Sequence, residues 1–214
     1  MIPDQRIMTP AAPPSIACVH APAFVLPFPA QETPALVRLL RRFSPDVEAS
    51  PDSPGTFWLE AGGLRRLFGS PAEWAAKLRA DLAAAGVRAS VAVGFTRFGT
   101  YATARRKDRA AAEPPILFND AEAEAVAARE TSLADLDLPP NAQDSLDRLG
   151  VRTLGDFLRL PPDGLAERFG PEMIRLHRLA SGRLWDPLRP LPPPVCRARR
   201  MVLDHPESSL DRVL

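Results

Sequence analysis

The sequence predicts an α+β unit followed by a smaller all-α unit, and three observations carry that reading. Short apolar runs with strand character, at 15–19, 46–49, 56–60 and 87–94, alternate with stretches of helical periodicity in the first part of the chain. Residues 141–182 hold only helix signals, each stretch closed by Gly or Pro. Between the two lies an acidic stretch (Glu113, Asp120, Glu122, Glu124, Glu130, Asp135, Asp137) ending in a linker at 132–138.

Composition bounds the rest. A chain of 214 residues with 45% hydrophobic residues has enough apolar surface to bury a core in one or two domains. The net charge of +1 gives no global electrostatic case for nucleic acid, so any such case rests on local patches. Only Lys77 and Lys107 are lysines among 27 basic residues. Arginine suits phosphate recognition, although a gene rich in G and C produces the same excess. Cys18 and Cys196 are too few and too distant to suggest a disulfide framework or a metal site. No run approaches the ~18 apolar residues of a membrane span, and the early prolines interrupt any signal-peptide core. The expected location is the cytoplasm.

In order along the chain, residues 1–14 are rich in Pro and Ala and predict disorder. Residues 15–19 (SIACV) predict a buried strand that ends at His20, and a lone His at a strand end is more often structural than a ligand. Thr33 and Pro34 offer an N-cap and first position for a helix running to Arg42, with Leu36, Leu39 and Leu40 on one face. Two short strands, 46–49 and 56–60, flank the turn-forming link SPDSPG at 50–55. Ser70-Pro71-Ala72-Glu73 combines an N-cap Ser, Pro at N1 and Glu at N3, the capping-box spacing. Trp74, Leu78, Leu82 and Ala85 follow at helical intervals, and Gly86 supplies the stop. A strand at 87–94 and a helix from Thr96 to about Lys107 complete a ferredoxin-like order of elements. Residues 114–118 predict a last strand and 120–130 an exposed helix.

In the second unit, one helix holds 144–149 and stops at Gly150, and Thr153 caps the next, with Asp156 favouring its positive end. Pro161-Pro162 ends that helix, and two more follow at 163–169 and 171–181. After Trp185 the chain turns Pro-rich and basic.

The stretch FSPDVEASPDSPGTFWLEAGGLRRLFG at 43–69 resembles the palm of the Y-family (translesion) DNA polymerases. LDRLGVRTLGDFLRLP, LAERFG and LHRLASG, within 146–182, resemble the helix-hairpin-helix thumb of the same family in order and spacing. The fold class implied is α+β: an incomplete ferredoxin-like polymerase palm followed by a small all-α helix-hairpin-helix domain. The implied divisions are 1–14, disordered; 15–131, palm-like, without fingers; 132–184, thumb-like; and 185–214, a tether and the start of a truncated little-finger-like domain.

The resemblance also has departures. The family's Ser-Ile-Asp-Glu motif, whose acids hold catalytic magnesium, falls on Ser53, Pro54, Gly55 and Thr56, and its first metal-binding Asp falls on His20. A Lys-Pro element beside the incoming triphosphate falls loosely on Glu113-Pro114, and a Gly-Ile-Gly phosphate-gripping turn on Leu138-Pro139-Pro140. Two prolines there remove two N–H donors. Within the family this pattern looks most like the ImuB-type, polymerase-like proteins, which keep the fold and lack the catalytic acids. The resemblance therefore implies a protein that is not an enzyme, with no cofactor and no metal, acting in DNA damage tolerance and induced mutagenesis. It implies DNA as a partner, primer–template in form and without sequence preference. It further implies an error-prone replicative polymerase, the sliding clamp and a RecA-like accessory protein, and no membrane.

Candidate DNA-contacting residues are Arg148, Gly150, Arg152 and Thr153 in the second unit and Arg105, Arg106 and Lys107 in the first. The basic run at 105–109 reads equally as a solvated helix end. Two other readings remain open: an active polymerase using Asp46, Glu48, Asp52 or Glu60, and a degenerate remnant or partial gene product that binds no DNA.

Overall fold

The computed structural model describes residues 15–22, 32–106 and 114–192. Among the described residues five strands form one sheet: β1 (Ile16–His20), β2 (Val47–Ala49), β3 (Thr56–Glu60), β4 (Ser90–Gly94) and β5 (Ile116–Leu117), in the order β2-β3-β1-β4-β5. β1 is central and runs antiparallel to β3 and to β4, while β5 adds to β4 in parallel. The links from β1 through α1 (Glu32–Leu40) to β2, and from β3 through α3 (Pro71–Ala84) to β4, give the split βαβ arrangement of a ferredoxin-like unit.

Alternation along the strands decides which side chain meets which layer. Ala17 and Val19 of β1, Phe57 and Leu59 of β3, and Val91 and Val93 of β4 face α1 and α3, where Leu36, Leu40, Trp74, Leu78 and Leu82 close the main core. Cys18, Trp58 and Ala92 point to the other face, which α4 (Arg97–Ala104) covers through Tyr101 and Ala104. Burial pushes the Cys18 thiol far above its ordinary value, so it stays protonated. The capping box at α3 forms as the sequence predicts: Ser70 Oγ accepts from Glu73 N–H, and Glu73 accepts from Ser70 N–H. Short α2 (Arg65–Phe68) precedes it, and Phe68 stacks on Phe43 at 5.7 Å.

Beyond β5, α5 (Ala121–Arg129) leads into α6 (Pro140–Arg148), α7 (Leu154–Leu158), α8 (Pro162–Phe169) and α9 (Pro171–Ala180). Leu146, Leu154, Phe157, Leu165 and Met173 form their core, which Ala102 of α4 and Ala128 of α5 extend into the first unit.

The structure corrects several boundaries. Among the described residues the ferredoxin-like unit has four strands and both crossover helices, and the link between β1 and α1 is only residues 21–31. α1 starts at Glu32, so Thr33 lies within its first turn rather than at the N-cap. α4 ends at Ala104, with Arg105 as its C-cap. α6 starts at Pro140 rather than 144, because a proline at the first helical position forfeits an N–H that has no helical partner anyway. Residues 132–138, expected as a linker, contain a 3-10 turn at Leu133–Asp135 whose Leu133 is buried in the second core with Leu136. The expectations for 1–14 and 193–214 lie outside the described residues. Among the described residues no helix is long and apolar enough to cross a membrane.

Candidate functional site

The antiparallel pairing of β1 with β3 places His20 directly opposite Thr56. Ala21 N–H donates to Gly55 O at 2.8 Å, so positions 20, 55 and 56 meet at one end of the sheet. His20 Nδ1 lies 3.1 Å from Thr56 Oγ1, which lies 3.1 Å from Ser53 Oγ. Ser53 then donates to Asp137 Oδ2 at 2.5 Å. Arg105 closes the cluster from the C-terminus of α4. It donates from Nη1 to Ser53 Oγ at 2.7 Å, from Nη2 to Asp137 Oδ1 at 2.6 Å and from Nε to Asp135 O at 2.7 Å. Its guanidinium also lies 5.4 Å from the centre of the Tyr101 ring.

The electrostatics follow from this packing. Burial, then the adjacent Arg105 charge, lowers the His20 pKa from 6.5 to about 4, with Asp137 opposing, so the imidazole is neutral at neutral pH. Burial raises the Tyr101 phenol.

This donor set does not suit a pair of divalent cations. Such a pair needs convergent carboxylates, whereas here stand a neutral imidazole, two hydroxyls and a fixed guanidinium. The single carboxylate, Asp137, is already ion-paired to Arg105. Among the described residues no three His, Cys, Asp or Glu side chains gather as metal ligands would. Nor do the other acids converge. Glu60 sits at the opposite end of β1 from His20, opposite Ile16, and accepts from Gly62 N–H. Glu48 is claimed by Arg97, and Asp52 is exposed.

Two further junctions carry no local sequence signal. The buried Glu124 carboxylate reaches back from α5 to the N-terminal end of α4. It accepts from Phe95 N–H (2.5 Å), Thr96 N–H (3.1 Å) and the Thr96 hydroxyl. Burial raises its pKa against those hydrogen bonds. Gly94 and Gly99 make room: a Cβ at Gly99 would lie 2.0 Å from Glu124 Oε1. The second junction is Arg97, which bonds both oxygens of Glu48, pairs with Asp186 at 3.5 Å and stacks 4.0 Å from the Trp58 ring centre.

The candidate DNA-contacting residues fall in two places. Arg148, Gly150 and Arg152 lie exposed at the turn between α6 and α7, where Leu149 is 57% exposed between the arginines. Gly150 takes φ +74°, and its N–H donates to Asp147 O while Val151 N–H donates to Leu146 O. This closes α6 with a left-handed cap. Thr153 accepts from Asp156 N–H in a capping box. Hydrogen bonds from Thr153, foremost its side chain, lower the Asp156 pKa. In the first unit Arg105 is committed to Ser53 and Asp137, Arg106 pairs with Glu130 at 3.4 Å, and Lys107 lies outside the described residues. Pro139 and Pro140 occupy the N-cap and first position of α6.

No protein-family model matches the chain. It is 28% identical over 159 residues to DNA polymerase IV of Moorella thermoacetica, a match covering 72% of this chain and 38% of that protein. It is 30% identical over 163 residues to DNA polymerase IV of Caulobacter vibrioides, covering 73% and 39%. It is 37% identical over 130 residues to Protein ImuB of Caulobacter vibrioides, covering 60% and 26%. The chain thus spans well under half the length of these relatives. Its fold is similar to that of the Dbh ternary complex, with a TM-score of 0.56 and 16% identity over 74% of this chain and 46% of that one. DinB from Sulfolobus solfataricus gives the same TM-score, identity and coverage.

Proposed function

From the premise that this chain is a Y-family DNA polymerase homologue, in sequence and in fold, we propose that it is a non-catalytic, polymerase-like subunit that binds DNA in damage tolerance. One observation supports the reading: His20, Gly55 and Thr56, onto which the resemblance maps the family's magnesium-holding acids, meet at one end of the sheet with Arg105 beside them. A fixed positive charge within hydrogen-bonding distance of Ser53 opposes divalent cations electrostatically. The fold stays while the means of phosphoryl transfer goes.

DNA contact belongs to the α6–α7 turn. Arg148 and Arg152 are exposed there beside an exposed Leu149, within the stretch whose sequence resembles the family's helix-hairpin-helix. Because Gly150 and Val151 spend their N–H groups inside the turn, phosphate attraction rests on the two guanidinium groups rather than on backbone donors. By family likeness, an error-prone replicative polymerase, the sliding clamp and a RecA-like accessory protein are the protein partners of this reading.

Fluorescence anisotropy on a primer–template across a salt series, with a primer-extension assay alongside, tests both halves. The reading expects salt-dependent binding, with Arg152→Ala lowering the log–log slope by about 1, and no extension with magnesium or manganese. Extension would overturn the non-catalytic reading. Absence of binding at low salt would overturn the DNA reading and leave a helix pair that keeps only the shape of a DNA-binding hairpin.

A further inference from the structure

Residues 186–192 follow α9 and cross the sheet as an extended strap bonded at both ends. At its start Asp186 pairs with Arg97 (3.5 Å), and Arg97 also donates to Pro187 O at 2.9 Å. In its middle Leu188 packs on the sheet face formed by Cys18, Trp58 and Ala92. At its end Arg189 N–H donates to Glu48 Oε2 at 2.5 Å, and Leu191 N–H to Val47 O at 2.8 Å. Arg41, just beyond α1, holds Leu191 O at 3.0 Å and Pro192 O at 2.5 Å.

Three features make this a docked element. β2 is an edge strand, and an edge presents unpaired backbone groups that proteins cover. The strap's N–H groups at 189 and 191, two residues apart as along a strand, both go to β2 residues. Prolines 187, 190 and 192 restrict the free strap, so docking it forfeits less conformational entropy.

We propose that residues 186–192 are a releasable strap, and that docking and release give the chain following Pro192 two different reaches. Docked, the strap moves the origin of that chain from Trp185, five residues past α9, to the β2 edge beside Arg41. Released, it returns seven residues to the free length, up to about 23–25 Å when extended. The bonds from Arg41 to Leu191 O and Pro192 O are exposed, as is that from Arg97 to Pro187 O, while the Arg189 N–H bond to Glu48 is part-buried; the sheet beneath retains its own helices. Undocking therefore leaves the fold standing. The inference does not depend on DNA binding or on the fate of the metal positions.

Amide hydrogen exchange on the full chain tests it, read at Arg189 and Leu191 and, as an internal reference, at the α3 core amides. The expected result is at least tenfold protection at both strap amides, with both exchanging faster than the α3 reference. Arg41→Ala should accelerate Leu191 at least tenfold without changing α3, and Asp186→Asn should do the same from the other end. Random-coil exchange at 189 and 191 in the unaltered chain would overturn the docked state. Strap amides as slow as α3, or speeding up only in step with it in both variants, would overturn the release.

Discussion

Lowering the pH should destabilise this protein through His20 well before most of its carboxylates titrate. In the folded chain the imidazole is buried against Thr56 with Arg105 nearby, and its pKa falls from 6.5 to about 4. The unfolded chain therefore takes up the proton first as pH drops. The stability linked to His20 is complete above pH 6.5 and is lost progressively as pH falls toward about 4. A shift of that size corresponds to about 3 kcal/mol across the window. Glu124 acts in the opposite sense: its raised pKa means that protonation on acidification relieves a burial cost. The assay is urea unfolding of the unaltered protein and of His20→Gln at several pH values between 7.5 and 4.5, followed by tryptophan fluorescence. Gln keeps a hydrogen-bonding group near Thr56 but has no proton to gain. The reasoning expects the two stability curves to converge as pH falls. Parallel curves would refute it, whatever their vertical offset.

Three other substitutions probe the junctions directly. Arg105→Ala should lower stability by about 1–2 kcal/mol, because it takes a donor from the buried Ser53 hydroxyl and unpairs the exposed Asp137; urea unfolding reads this, and the salt slope of any DNA binding should not change. Gly99→Ala should cost about 2 kcal/mol or more by driving a methyl group into the Glu124 carboxylate, seen as a lower Tm. His177→Leu should raise stability by about 1 kcal/mol, since both ring nitrogens of His177 are buried without a hydrogen-bond partner. A lower Tm for that variant would show that the edge contact with Phe157, at 5.7 Å, is worth more than the unmet polar groups cost.

Much of the fold was legible because local chemistry and periodicity agreed. The box at Ser70 and Glu73, the apolar interval from Trp74 to Leu82 and the glycine stops at 86 and 150 each report on a few neighbouring residues. The strand at 56–60 appears with the predicted bounds. The site was legible only in part. Aligning the family's motif put His20, Gly55 and Thr56 at the magnesium positions, and the sheet register brings them together. What surrounds these three positions was not legible. Arg105 reads in sequence as the first cation of an exposed basic run, yet its partners Ser53 and Asp137 lie 52 and 32 residues away. Glu124 likewise looks like one more charge on an exposed helix, and the room that Gly94 and Gly99 leave for it is apparent only in the fold. Such contacts are set by how elements stack, and no window of sequence contains them.

The position of β1 has a consequence for how the molecule is made. Among the described residues the first strand in sequence is the middle strand in space, with Cys18 opposite Trp58 on one side and Ala92 on the other. Neither neighbour is local, so loop closure across tens of residues must precede any reward from strand pairing. A ribosome delivers Ile16–His20 early, and this apolar segment must wait until Ser90–Gly94 has emerged before both of its edges are satisfied. Nascent chains arrested before Ser90 should therefore stay protease-sensitive and engage holding chaperones, while those arrested well past Gly94 should become resistant in a single step.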